Sequence, residues 1–324
     1  MNALCPLLQS LKESEESTVE KRKSFSYAKY GYMFIIPFVA AYLVFSLYPT
    51  IYTLILGFTD AKGVGKEWHF LKEDIFKNFK VILANDVFRT ALKNTFKIWI
   101  INFIPQILLA LLLTAWFTST HNKLKGQGFF KVVLYMPNII TAATIAVLFY
   151  AMFGYPKGPM NDILMSLGII DGPFAFTQNK LASQLIVAFI QFWQWYGYTM
   201  LILISGVLGI SPDIFEAADL DGANSWQTFF HITLPNLKTI LLFTLVTSVI
   251  GGLNMFDIPK LFNDGMPDNA TVTASVFIFK QAFSGAYMYA RAAAASMIMF
   301  VIIAIITGLL FYFMRDRDAK PKKY

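Results

Sequence analysis

Along the 324 residues, long apolar runs alternate with shorter polar segments, and the runs have the length a helix needs to cross a bilayer. Six such runs are expected, over 31–57, 92–117, 130–153, 183–208, 239–255 and 290–314, the fifth being the shortest and least apolar. The fold class is therefore read as an all-α integral membrane protein with six transmembrane helices. Pro37, Pro49, Pro105 and Pro137 lie in or near these runs. In water they would kink a helix badly, but inside a membrane bundle neighbouring helices satisfy the freed carbonyls. The domain reading follows: a polar segment 1–30, a six-span domain 31–314 and a basic tail 315–324.

Composition sharpens this picture. Hydrophobic residues make up 56% of the chain, above the roughly 45–50% of soluble domains. The one cysteine, Cys5, excludes an internal disulfide framework, and the scattered His69, His121 and His231 make a zinc cluster a poor expectation. A net charge of +7 could suggest nucleic acid. In a membrane protein it reads instead as basic segments at cytoplasmic ends. Residues 1–29 are polar and charged, without the apolar core of a cleavable signal.

Basic residues also set orientation. "KRKSFSYAKYG" precedes the first run and "RDRDAKPKK" follows the sixth, which places both termini in the cytoplasm. The stretch from Lys62 to Arg89 is basic as well, but long loops weigh less in this rule. Segments 58–91, 154–182 and 256–289 then face outward, and 118–129 and 209–238 face the cytoplasm.

Against that bias, the 209–238 loop concentrates acid: Asp213, Glu216, Asp219 and Asp221 stand near a single Lys238. Local signals predict two short helices. Ser211 is placed to cap the first, with Pro212 at its first position and Asp213 in its first turn. Gly222 ends it. Asn224 and Gln227 form a capping box for the second, and Pro235 stops that one. Helices this short need something to pack on. Three supports are open: the membrane surface or the chain's own bundle, a nucleic acid, or a cleft in a soluble partner lined with positive charge. The acidity counts against nucleic acid.

Glu216-Ala217-Ala218, then Gly222, Ile232 and Leu234-Pro235, resembles the EAA loop of binding-protein-dependent ABC importer permeases, with every fixed position of the pattern present. "DGANSWQTFFHITLP" is most similar to the sugar-importing branch, the maltose and multiple-sugar permeases. "FKNFKVILANDVFRTALKNTF" at 76–96 resembles the approach to the family's second span, and "FDI" at 256–258 the end of its fifth, so the likeness covers 30–315. The family's glycine-rich turn reads here "NDGMPDNAT", without paired glycines.

The resemblance implies a type I importer permease fold in a bacterial cytoplasmic (inner) membrane, with the loop between spans four and five as the coupling helix seated in a cytoplasmic ATPase. Glu216 would meet a basic residue of that ATPase. Ala217 and Ala218 would allow close approach, and Gly222 a tight turn. Ile232, Leu234 and Pro235 complete the motif. The implied partners are a second permease subunit (a heterodimer), two ATPase copies, an extracellular or periplasmic sugar-binding protein, and membrane lipid, with no nucleic acid. The chain would bind no cofactor and no metal; ATP and Mg would be used by the ATPase. "GVGKEW" at 63–68 is a poor phosphate loop, since Asp60 and Glu67 stand where Gly and Ser or Thr are needed. No catalytic residue and no ATPase of its own are therefore expected.

Candidate pathway residues lie on two spans. In the fourth, Gln191, Gln194, Trp195 and Tyr198 follow i, i+3, i+4, i+7 and form one stripe. Amides can bond hydroxyls while the rings cover a sugar's C–H face. The stripe lies about 12–23 Å into the span by helix rise, deeper than an interfacial aromatic belt. In the fifth, Thr244, Thr247, Ser248 and Gly251 form a small polar stripe, either pathway or helix-packing contact, with Asn254 beyond it. Asn102 and Gln106 in the second span read as interhelical, Asp257 as snorkelling, structurally paired or in contact with substrate, and Arg291 as facing headgroups or a docked protein. The rival readings are an ion-coupled secondary transporter, a membrane-embedded enzyme, and a permease for glycerol phosphate or an acidic oligosaccharide. The first would want midplane carboxylates and the second a constellation of histidines or carboxylates within the spans.

Overall fold

The computed structural model describes residues 28–119, 125–285 and 287–314. Cys5, His121 and the basic stretches 21–27 and 315–323 lie outside the described residues. The chain divides into two compact units between Thr53 and Leu54.

In the first unit, α1 (Ala28–Tyr42) runs through a π turn (Leu43–Leu47) into α2 (Tyr48–Leu56), which continues across the boundary. The π turn ends two residues before Pro49, a residue that cannot donate to the preceding turn. Thr50 and Thr53 hydroxyls donate to the carbonyls of Ser46 and Pro49 at 2.7 and 2.8 Å.

The second unit contains α3 (Lys77–Ala84), α4 (Asp86–Phe117), the pair α5 (Gln127–Ile139) and α6 (Ala142–Met152), α7 (Pro159–Ser166) and α8 (Lys180–Leu208). After these come α9 (Pro212–Leu220), α10 (Ser225–Thr228), a second π turn (Phe229–Thr233), α11 (Leu234–Asn236), α12 (Lys238–Leu253), α13 (Asp257–Asn263), α14 (Ala274–Phe283) and α15 (Tyr289–Met314). By length and composition the described residues hold five helices able to cross a membrane, or six when α5 and α6 count as one.

That pair corrects the expectation of one helix over 130–153. The two halves meet at 87°. Ile140 is extended, and the Thr141 side chain accepts from the Thr144 N–H to start α6 afresh. Pro137 sits inside α5, before the break. The second span also begins earlier than expected, at Asp86, where Asn85 accepts from the Phe88 N–H.

α4 and α8 form the central pair. Ala91, Ile98, Asn102, Gln106, Ala110, Leu113 and Phe117 are buried along one helical stripe of α4. Its lower part packs with Tyr196, Met200, Leu203 and Ile204 of α8. α5 crosses α8 backbone to backbone at Gly197, where a Cβ would stand 2.2 Å from the Leu134 carbonyl oxygen. In α15 the buried Ala290 and Ala292–Ala295 let α3 and α14 approach closely.

The turn after α13 explains the missing glycine pair. Asp264, Asp268 and Asn269 take φ of 51°, 47° and 60° beside Gly265 at 83°. Short polar side chains tolerate this left-handed region better than other L residues. The turn is tied down from α4. Asn94 donates to the carbonyls of Asn269 and Val272 at 2.8 and 3.2 Å, and Thr95 Oγ1 accepts from the Ala274 N–H at 2.9 Å.

Candidate functional site: a polar cavity and an acidic helical loop

A cavity of about 360 Å³ opens between α4, α8 and α12, within the size range of small-ligand pockets. The stripe read from the fourth span, Gln191, Gln194, Trp195 and Tyr198, lies on its lining, as do Thr244, Thr247, Ser248, Gly251 and Asn254. Trp193 and Tyr196, from the same aromatic-rich segment, pack into apolar clusters instead. Helical spacing separates the two sets, since Trp193 and Tyr196 fall off the i, i+3, i+4, i+7 face.

Several polar groups on the lining are held in place. Gln106 donates to Thr199 Oγ1 at 2.8 Å, so the interhelical reading of Gln106 holds, and both residues also face the cavity. Asn102 donates to its own helix at the Ile98 carbonyl, 3.0 Å away. Gln194 reaches the Ile140 carbonyl at 3.5 Å, and Asn138 donates to the Gln194 carbonyl at 3.2 Å. The carbonyl at the break of the α5–α6 pair thus meets an amide from α8. Trp195 and Tyr198 stand edge to face, 5.6 Å apart. Thr244 is only 4% exposed and its hydroxyl has no hydrogen-bond partner among the described residues. Asp257 is the one carboxylate on the lining and no basic side chain joins it.

Trp99 and Thr199 escaped the sequence reading. A usable signal for Trp99 was its spacing: it precedes Asn102 by three residues and Gln106 by seven, and so shares their face of α4.

The acidic loop forms two helical pieces. At the end of α9, Gly222 has φ +75°; its N–H bonds the Asp219 carbonyl at 3.1 Å and the Ala223 N–H bonds that of Ala218 at 3.0 Å. This is a Schellman ending. Asn224 and Gln227 exchange side-chain bonds with each other's N–H at 2.8 and 2.9 Å, closing a capping box. Two expectations are corrected. Ser211 makes no side-chain cap bond. Pro235 does not stop the second helix. The π turn Phe229–Thr233 ends two residues before it, α11 carries the winding past it to Asn236, and α12 begins after the turn residue Leu237, whose N–H bonds Thr233 O at 3.0 Å and whose carbonyl accepts from Leu241 N–H at 2.8 Å. A proline is passed here as Pro49 is, behind a π turn that makes room for its ring.

Ala218 is buried at 6% against the chain itself, whereas Glu216, Ala217 and Gly222 are exposed. Ile232 and Leu234 are half-buried and Pro235 is exposed. Leu220 and Trp226, 89% and 65% exposed, put apolar surface among the carboxylates, and Trp226 stacks on Phe230 at 5.8 Å. The underside rests on the end of α4, where Ser119 and Ser225 hydroxyls stand 3.4 Å apart.

Comparison with known proteins follows the same lines. The model of the family described as "Binding-protein-dependent transport system inner membrane component" matches residues 82–318. The chain is 31% identical over 289 residues to the lactose transport system permease protein LacF of Rhizobium radiobacter, covering 89% of this chain and 94% of that one. It is 30% identical over 276 residues to the arabinooligosaccharides transport system permease protein AraP of Bacillus subtilis (strain 168), covering 85% of each. A chain from the crystal structure of a bacterial ABC transporter involved in the import of the acidic polysaccharide alginate shares the fold. Its TM-score is 0.74 at 22% identity, over 92% of this chain and 99% of that one.

Proposed function

Because the chain belongs to the family of binding-protein-dependent transport system inner membrane components, we propose that it is the permease subunit of an importer that brings a carbohydrate, an oligosaccharide, into the cell on ATP hydrolysed by a separate subunit. The observation that carries this reading is the link between loop and cavity. The exposed, capped loop runs through the second π turn and α11 to the single turn residue Leu237 and directly into α12, and α12 supplies one wall of the cavity. Displacing the loop therefore moves residues that would touch cargo, which is what alternating access requires.

The names of relatives support a sugar: lactose for one, arabinooligosaccharides for another. The lining agrees, with amides, hydroxyls and rings and one carboxylate but no cation. That chemistry suits a neutral sugar better than an acidic one. On this reading Gln191, Gln194, Trp195, Tyr198, Thr247 and Asn254 line the path. Glu216, Ala217 and Gly222 present the loop to a basic cleft of the ATPase, and Ile232, Leu234 and Pro235 carry the motion into α12. Both termini are cytoplasmic. The working assembly adds a second permease, two ATPase copies that hold ATP and Mg, and a binding protein outside. This chain contributes no ATPase site and no cofactor of its own.

Purification from native membranes in gentle detergent tests the proposal. The expected result is co-recovery of a second six-span permease and an ATPase whose activity rises with sugar-loaded binding protein. Recovery of the chain alone, still able to move solute, overturns it in favour of an ion-coupled transporter.

A further inference from the structure

Trp99 projects from α4 onto the cavity lining, and its position is fixed from α12. Its indole Nε1–H donates to Ser248 Oγ at 3.2 Å. Its five-membered edge lies on Gly252, where an added Cβ would stand 2.0 Å from Cδ1 and 2.6 Å from Nε1. Ser248 and Gly252 are four residues apart and share a helix face. One takes the indole proton and the other makes room for the ring. On α4 itself, Phe103 stacks on the indole at 5.5 Å and 15°. Behind it the ring packs on two apolar clusters, around Ile98 and around Val249 and Leu253.

We infer that Trp99 is a specificity-determining residue: a fixed aromatic wall that covers the C–H face of a sugar ring, seated on Gly252 and held by Ser248. The inference rests on the carbohydrate reading above. Because Nε1–H is already bonded to Ser248, the indole offers cargo a ring surface rather than a donor. It sorts sugars by the shape and C–H content of a ring face, while the amides of Gln191 and Gln194 bond hydroxyls without regard to that face. The wall thereby sets preference among neutral sugars with equal numbers of hydroxyls. A pyranose with one unbroken C–H face is favoured over an isomer with an axial hydroxyl projecting from it.

The test uses the complete transporter in vesicles with ATP and a panel of neutral oligosaccharides (maltose, lactose, maltotriose and arabinotriose), measuring sugar moved per ATP hydrolysed. Trp99→Leu removes the ring; Trp99→Phe keeps one; Gly252→Ala evicts the indole without changing it. Trp99→Leu and Gly252→Ala are expected to lower uptake of the preferred sugar about tenfold and to change the ranking of the panel, with Trp99→Phe within about threefold of wild type. Should Gly252→Ala fail to assemble, Ser248→Ala, which frees the indole without added bulk, is expected to shift the ranking in the same direction. Wild-type ranking in Trp99→Leu and in the variant that frees the indole overturns the inference and leaves the carbohydrate reading standing. A wild-type transporter that moves none of the panel overturns that reading, and this inference with it.

Discussion

Gln184 Nε2 lies 2.7 Å from the carbonyl oxygen of Ala270, a residue 86 positions along the chain. The same amide nitrogen also reaches Asn94 Oδ1 at 3.2 Å, and Gln184 Oε1 accepts from Lys97 Nζ at 2.7 Å. One side chain at the start of α8 thus clasps α4 and the turn after α13. Gln184→Leu leaves buried acceptors without a donor, a cost of about 1–3 kcal/mol for each such group. Amide hydrogen exchange across 264–273 should rise markedly in this variant; wild-type protection there would mean the clasp contributes nothing.

A second hold on that turn is ionic. Burial pushes the Asp264 carboxyl up, but the bond from Lys260 and the charges of Lys280 and Lys260 outweigh it, holding the group below its ordinary value of 3.8. A depressed carboxylate stabilises the fold fully above its unfolded pKa, and that contribution is lost as pH falls through the folded one. Thermal unfolding of wild type and Asp264→Asn should therefore differ above about pH 5 and converge below about pH 3. A constant difference across that range would assign the effect to the asparagine itself.

Gly197→Ala drives a methyl to 2.2 Å from the Leu134 carbonyl oxygen. Backbone cannot yield as a side-chain tip can, so a loss of about 1–3 kcal/mol or more is expected, read as a lower melting temperature in detergent. An unchanged melting temperature would show that α5 is free to move off α8.

In the loop, Glu216→Lys reverses an exposed charge that, on the proposed function, meets the ATPase. The chain should still insert, while ATPase co-recovery and sugar uptake are lost. Undiminished uptake would remove Glu216 from the coupling surface. Gly222→Ala should act more mildly, since forcing alanine to φ +75° costs about 1–2 kcal/mol.

Asn254 is exposed on the lining, and among the described residues its side-chain amide bonds its own helix, at the Ile250 carbonyl. Asn254→Leu should leave assembly intact and cut uptake by roughly tenfold, the value of about one hydrogen bond to cargo. Unaltered uptake would exclude Asn254 from the path.

Much of this was legible in the sequence, because hydrophobic runs and helix caps are local. The outer spans, the Asn224–Gln227 box and the Gly222 turn all follow from neighbours within a few residues. The break at Ile140 does not. Pro137 lies short of it, and the carbonyl at the break is met by Gln194, more than fifty residues away. Trp99 is a similar case. Its spacing marked a face, but only packing against Gly252 and Ser248 on another helix fixes its ring. Pro235 misled for a different reason, since the rule that proline ends a helix presumes α winding, and a π turn precedes it here.

The passage from Ser225 through the second π turn into α12 has a mechanical consequence. A hinge would let the loop swing while the membrane helix stood still. A helical path interrupted only at Leu237 would behave instead as a jointed drive shaft, passing torque applied at Asn224 toward Asn254 at the far end. Its main compliant collar is the five-residue stretch Phe229–Thr233, where the helical pitch is already loosened, with the turn residue Leu237 a second joint beyond it. Stiffening that collar by deleting one residue there would turn the face of α12 relative to the loop by about 100° per residue.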